Sequence, residues 1–310
     1  MPRALEALDL SAYDLVISSE AGPAKGVIAK PDAAHVCYCH SPMRYLWDQA
    51  ALYRKNAGLV ARLGMDLFSH DLRIWDVTSA QRVDRFMANS NFIASRIRKY
   101  YRRDAAVVFP PVEVDAFTIS RDVESHYLWL GQMTAYKRPD LAVEAFNRLG
   151  LPLLMVGEGE MEPKLRAQAN ANIKFAKNLP YAELKKAYAT ARGLIFTAEE
   201  DFGIVPVEMM ASGRPVLAFQ RGGALATVTD GVSGRFFDDA SVDGLIAGVQ
   251  EFERFLSDFS PEACKASVAR FAPENFDAAF QSCVVGALAD VAAPRSPNGV
   301  YAGPLERAAE

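Results

Sequence analysis

The stretch TAEEDFGIVPVEMMASGRPVLAF, Thr197–Phe219, decides how the chain is read. It opens on the end of an apolar run, GLIFTAE (193–199), and passes through the loop EDFG. A helical segment, GIVPVEMMASG (203–213), then leads to a second apolar run, PVLAFQ (215–220). Pro206 falls in the first turn, where its missing N–H costs nothing, and Gly213 stands where a C-cap is wanted. Strand, helix and strand in that order build parallel sheets covered by helices on both faces.

The pattern continues outward. Short apolar and β-branched runs recur at HYLWLGQ (126–132), LPLLMVGEG (151–159), IKFAKN (173–178) and GRFFD (234–238), with helical segments at 138–150, 160–170 and 181–193. Gly150 closes the first of these helices as Gly213 closes the central one. An earlier series holds DLVISS (14–19), HVCYCH (35–40), RFMANS (85–90) and AVVFPP (106–111). Paired prolines and charges mark Pro110–Ser125 between the two series as an interdomain linker. The expected organisation is a first Rossmann-like domain over 1–112, a second over 113–273, a helix over 274–291 packing back on the first domain, and a flexible tail over 292–310. Four strands are few for a doubly wound domain, so the first domain is expected to be incomplete.

A chain of 310 residues, half of them apolar, can fill two cores. Met1 to Val112 carries 15 Lys and Arg against 11 Asp and Glu, and the remainder 19 against 27. This asymmetry is too small for a nucleic-acid face, yet it suits anionic lipid or a phosphorylated ligand. Four cysteines give no disulfide framework, and Cys37 and Cys39 lack the second pair of a zinc site. They read as buried strand residues in a reducing compartment. The start, MPRALEALDLSAYDL, has no signal-peptide layout, and no apolar run approaches the roughly 18 residues of a membrane span. The expected location is the cytoplasm, with membrane contact limited to the surface.

Glu200 and Glu208 do not share one helical face; they bracket a helix N-terminus. In doubly wound sheets ligands bind at the carboxyl ends of strands, where the amides of Phe202, Gly203 and Ile204 can hold an anion. Acids are also common there because they offset the helix dipole, and spacing alone leaves both readings open. GQMTAYKRPDL (131–141) adds a second anion feature at the same sheet edge, since Lys137 before a helix start can reach a phosphate.

With these motifs in view the sequence resembles the retaining glycosyltransferases of family 4, which have the α/β fold GT-B: two facing Rossmann-like doubly wound domains with a cleft between them. Glu200-x7-Glu208 with FG between, Gly131-Gln132-Met133 leading to Lys137, VGEGE (156–160) and ASGRPVLA (211–218) all look like that family's donor-binding half. CYCHSPMRYLWD (37–48) and ANSNFIASRIRKYY (88–101) look like a bacterial subgroup that builds cell-surface polysaccharides, often with mannose from GDP-mannose. The resemblance implies a metal-independent hexosyltransferase with no cofactor beyond its nucleotide-sugar donor, and a glycan or lipid-linked acceptor. It assigns Glu208 to the ribose hydroxyls, Glu200 to the donor sugar and Lys137 to the diphosphate. His40 faces the sugar from the first domain. Gly131, Phe202, Gly203 and Ile204 complete the donor contacts, with Arg44 and Lys25 adding positive charge. The usual arginine before Lys137 is Gln132 here, which shifts weight to backbone amides. No Asp-x-Asp of the metal-dependent type is read, so no ion is required.

Other segments have competing readings. GEGEME (157–162) begins like a dinucleotide fingerprint, but Glu162 holds the third glycine position. SRIRKYYRRD (95–104) could lie against anionic lipid or be a solvated helix. RYLWDQAALYRKNAGLVARLGMDLF (44–68) carries a helical apolar stripe expected in the core, and IKFAKNLP (173–180) is expected near the base pocket. The competing functions are a non-catalytic sugar-nucleotide-binding protein, a UDP-sugar-dependent transferase and a sugar-nucleotide epimerase.

Overall fold

The computed structural model describes residues 2–293. Strands β1 (Leu15–Glu20), β2 (Ala34–Cys39), β3 (Arg85–Ala88) and β4 (Ala105–Val107) form a parallel sheet in that order. Helices α1 (Pro2–Glu6), α2 (Ala50–Asn56), α3 (Leu59–Ala80) and α4 (Asn91–Tyr101) accompany it. The second sheet holds β5 (Tyr127–Leu130), β6 (Leu153–Val156), β7 (Ile173–Ala176), β8 (Leu194–Phe196), β9 (Val216–Phe219) and β10 (Gly234–Phe237). Its order is β10-β9-β8-β5-β6-β7, all parallel. Helices α5 (Pro139–Leu149), α6 (Glu162–Gln168), α7 (Tyr181–Thr190), α8 (Ile204–Ala211), α9 (Ala224–Thr227) and α10 (Val242–Phe255) alternate with these strands; α11 (Pro261–Ser267) and α12 (Pro273–Ala292) follow. The winding reverses between β5 and β8. Loops leaving those two strands therefore diverge, and a crevice opens at their carboxyl ends.

Alternation along each strand sorts the second domain into two apolar layers. Leu128, Leu194, Val216 and Ala218 face one layer with Val207 and Met210 of α8. Tyr127, Trp129, Ile195 and Leu217 face the other with Phe146 of α5 and Phe252 of α10. The sequence reading omitted α10, although Ser241 caps it and Leu245, Val249 and Phe252 recur at helical spacing on its buried side. Pro110–Ser125, expected as an interdomain linker, is packed on the second domain. Val112, Val114 and Phe117 are buried in the second core, and the Val112 amide donates to the Phe271 carbonyl at 2.8 Å.

In the first domain, Ser90 caps α4 by accepting from the Ile93 amide, and the helix ends where Arg102 turns left-handed at φ 56°. Ile93, Ile97 and Tyr101 recur every four residues and pack with Cys37, Cys39, Phe86 and Ala88. Each such aliphatic side chain stabilises the fold by about 1.5–3 kcal/mol. Of the two readings open for 95–104, lipid contact through Ile97 and Tyr101 is not available, since both are buried, and Tyr100 stacks on Trp47. The 44–68 stripe departs from expectation in the opposite sense. It breaks at Gly58 into α2 and α3, and Leu59, Val60, Leu63, Leu67 and Phe68 lie exposed, Val60 at 88%. Only the far end of α3, at Asp76, Ser79 and Ala80, reaches the core.

The other face of the first sheet is covered by α12, whose Phe276, Phe280 and Ala287 pack with Val36, Tyr38 and Met87. The tail expected over 292–310 begins one residue too early, since Ala292 closes α12; residues 294–310 lie outside the described residues. Among the described residues no helix is long and apolar enough to cross a membrane.

A charge cluster sits inside the first domain. Lys25 is wholly buried, pairs with Asp76, and lies 3.2 Å from Glu20; Trp47 and Tyr101 also donate to Asp76, at 2.7 and 2.9 Å. Burial pushes the Glu20 carboxyl up despite Lys25, while its carboxylate partners raise Lys25 in spite of burial. This is a correction: Lys25 supplies no charge to the cleft, because its ammonium is consumed by these carboxylates.

Two outcomes are expected. Lys25→Met leaves Asp76 and Glu20 without their cation and should lower unfolding free energy by about 3–5 kcal/mol in urea titrations. Burial, opposed by Asp84, pulls His35 down to about 4, whereas the unfolded histidine titrates near 6.5. The unfolded chain therefore gains the proton first, and stability held above pH 6.5 is lost as pH falls toward 4. That loss, about 3 kcal/mol at most, should be absent from the pH profile of His35→Gln.

Candidate functional site

At the β5/β8 crevice a cavity of about 340 Å³ lies between the domains. His40 and Asn89 line it from the first domain, and Trp129, Lys137, Thr197 and Glu200 from the second. Hydrogen bonds run across the floor: Trp129 Nε1 donates to Thr197 Oγ1 at 3.1 Å, and Thr197 Oγ1 donates to the Lys137 carbonyl at 2.7 Å. Strands β5 and β8 thereby fix the turn that carries Lys137. Its Nζ lies 2.9 Å from Glu200 Oε1, with both side chains nearly buried. Gly131 lies beneath, where a Cβ would come within 3.3 Å of the Lys137 side chain.

The helix N-terminus is at the cavity wall. Gly203 caps α8 at φ 91°, a conformation that disfavours other residues, and Gly203, Ile204 and Val205 line the cavity. The amides of this first turn have no partner within the helix and carry its positive dipole end. Phe202 also borders the cavity, but its side chain is buried against Phe109 and Phe271, so it anchors the loop. Glu208 lies further along α8, outside the cavity lining. It accepts from Tyr188 Oη at 2.7 Å, and burial holds its carboxyl above the usual range against that hydrogen bond.

From the first domain, His40 follows β2 and its Nε2 lies 2.9 Å from Ser19 Oγ. Burial lowers its pKa, with Asp201 opposing. Arg44 crosses to pair with Asp201, and the Tyr136 ring lies 5.8 Å from Arg44 and 5.7 Å from Lys137. Of the residues predicted from sequence, the structure gathers Glu200, Lys137, His40, Phe202, Gly203 and Ile204 around one cavity, with Arg44 beside it. Gln132 is exposed and outside the lining. Asp201, Arg96, Asn89, Thr197 and Tyr188 were missed. Asp201 was visible within EDFG, but its partners come from the other domain.

Residues 115–256 match the family model "Glycosyl transferases group 1". The matched stretch lies within the second domain and takes in β5 through α10. The chain is 26% identical over 247 residues to "Alpha-1,3/1,6-mannosyltransferase alg2" of Schizosaccharomyces pombe, covering 64% of this chain and 47% of that protein. It is 28% identical over 235 residues to "GDP-Man:Man(3)GlcNAc(2)-PP-Dol alpha-1,2-mannosyltransferase" of Xenopus tropicalis, with the same coverage. The chain thus spans about half the length of these curated relatives. Among solved structures, Anabaena HepE in complex with UDP and glucose superposes at TM-score 0.64 and 16% identity, covering 87% of this chain and 77% of that one. The fold is GT-B, and the crevice of the second domain faces the first domain across the cavity.

The loop after β9 seats the EDFG loop. The Gly223 amide donates to the Glu200 carbonyl at 2.7 Å, and a Cβ on Gly223 would come within 2.4 Å of Phe202 Cα. Gly223→Ala should destabilise the protein by about 1–3 kcal/mol in urea unfolding, because backbone must move. Gly64→Ala, in α3 with open space around it, should be neutral or slightly stabilising.

Proposed function

We propose that the chain is a retaining, metal-independent glycosyltransferase that moves a hexose, mannose from GDP-mannose, to a lipid-linked or polysaccharide acceptor. The observation that carries this reading is the Lys137–Glu200 pair set against the α8 N-terminus, with His40 opposite. In this reading the donor diphosphate takes Lys137 and the amides of Gly203 and Ile204, with Gly131 allowing close approach. Attraction between unit charges at 2.9 Å is about 6 kcal/mol at an effective dielectric near 20. A diphosphate carries two or more charges and so outcompetes one carboxylate for the lysine. Glu200 is then free to accept from sugar hydroxyls, and Glu208 from the ribose diol.

Breaking the anomeric C–O bond leaves an oxocarbenium-like centre and puts the electron pair on the departing diphosphate. Lysine and amide dipoles stabilise that charge where it develops. The acceptor hydroxyl attacks from the same face, and its proton goes to the departing diphosphate. His40, half-buried and hydrogen-bonded to Ser19, is suited to hydrogen bonding with the sugar.

GDP-mannose is favoured by relatives named as mannosyltransferases, one of them by GDP-Man. UDP in the HepE structure keeps a UDP-sugar as the second reading. Work on a lipid-linked acceptor, at the inner face of the cytoplasmic membrane, is supported by the exposed apolar residues of α3.

Calorimetric titration with GDP, UDP, GDP-mannose and UDP-glucose, without added metal, tests the reading. Binding of the guanine pair in the micromolar range and its weakening by at least tenfold in Glu208→Ala are expected. Preference for the uracil pair would select the second donor, and no binding to any of the four would refute the site.

A further inference from the structure

Asp201 lies between Glu200 and Phe202, so it belongs to the loop that walls the cavity, yet its side chain does not serve its own domain. Its carboxylate is met by two arginines of the first domain: Arg44, from the loop after β2, and Arg96, whose Nη1 lies 3.1 Å from Asp201 Oδ1. Its backbone carbonyl accepts from Ser90 Oγ, the hydroxyl that also caps α4. Asp48 completes the group by pairing with Arg96. Two arginines and two aspartates balance in charge. The Asp201 and Arg96 side chains are 14% and 7% exposed, so little solvent competes for them.

We infer that Asp201 is the latch of the cleft, a positioning residue through which the first domain sets Glu200. The inference rests on the proposed donor reading for its consequence, but not for its existence. Three first-domain groups converge on one residue of the second domain, and that residue is covalently next to the carboxylate that pairs Lys137. Movement of the first domain away from the cleft must break these contacts or drag the Glu200–Phe202 loop with it. The alternative is an ordinary interface ion pair. Such a pair would stiffen the interface wherever it lay, without distinguishing the sugar end of the donor from the nucleotide end. Glu208, on α8 and bonded to Tyr188, lies within the second domain and is independent of the latch.

The test has two arms. Small-angle X-ray scattering of ligand-free wild type, Asp201→Asn and Arg96→Gln reads the cleft without any nucleotide. Both variants should give a larger radius of gyration than wild type while remaining folded by circular dichroism. Calorimetry with GDP and GDP-mannose, and with the uracil pair in parallel, reads the consequence. Asp201→Asn should keep nucleoside diphosphate affinity within about threefold and lose about tenfold in nucleotide-sugar affinity, since misplacement of a remote group by about 1 Å can cost even more in rate. Asp201→Glu, which keeps the charge, should recover part of the loss. Unchanged scattering in both variants would overturn the latch, as would equal loss of diphosphate and sugar-nucleotide affinity. Open variants together with a wild type that binds no nucleotide would keep the latch and refute the donor reading.

Discussion

A charge removed from water must be met by opposite charge or by well-placed dipoles, and this molecule meets the requirement at three depths. Lys25, Asp76 and Glu20 do so within the first domain, drawing Trp47 and Tyr101 onto the same carboxylate. Lys137 and Glu200 do so within the second domain, at the mouth of the crevice. Asp201 does so between the domains, with Arg44 and Arg96. Arranged in this way, the cleft has no need of solvent to neutralise its walls, and its shape follows from which carboxylate reaches which cation.

The parallel sheet supplies the other half of the arrangement. Reversal of winding between β5 and β8 opens the crevice, and the same two strands hold its floor through Trp129 and Thr197. A helix N-terminus and a lysine turn arrive at one place because both follow strands whose carboxyl ends point the same way. In the proposed reaction the departing anion would meet helix amides already fixed in place and a lysine exchanged from Glu200. Packing of α12 on the first sheet ties the end of the chain to its beginning and carries the backbone across both domains.

Much of this was legible in the residues. All ten apolar runs overlap strands, although β4 takes only Ala106 and Val107 of its run, because β-branched and aromatic residues between turn signals leave few other options. The caps at Gly150 and Gly213 adopt the left-handed conformation that glycine permits, each with φ 69°. Helix α10 has its spacing in the sequence, and the packing of Pro110–Ser125 leaves no periodic pattern because its buried residues have no period. The stripe of α3, expected in the core, lies exposed, while α4 keeps its apolar face buried. Both are amphipathic, and periodicity tells which side of a helix is apolar without telling what stands opposite.

The sequence by itself determined the order of strands and helices, the loop that carries Glu200, and the turn that carries Lys137. These follow from local rules of spacing, capping and turn chemistry. Tertiary structure alone decided that Lys25 is consumed inside the first domain while Arg44 reaches Asp201. Partners more than a hundred residues apart leave no mark in local pattern, since only the folded chain brings a carboxylate and a guanidinium within reach and shields them from water.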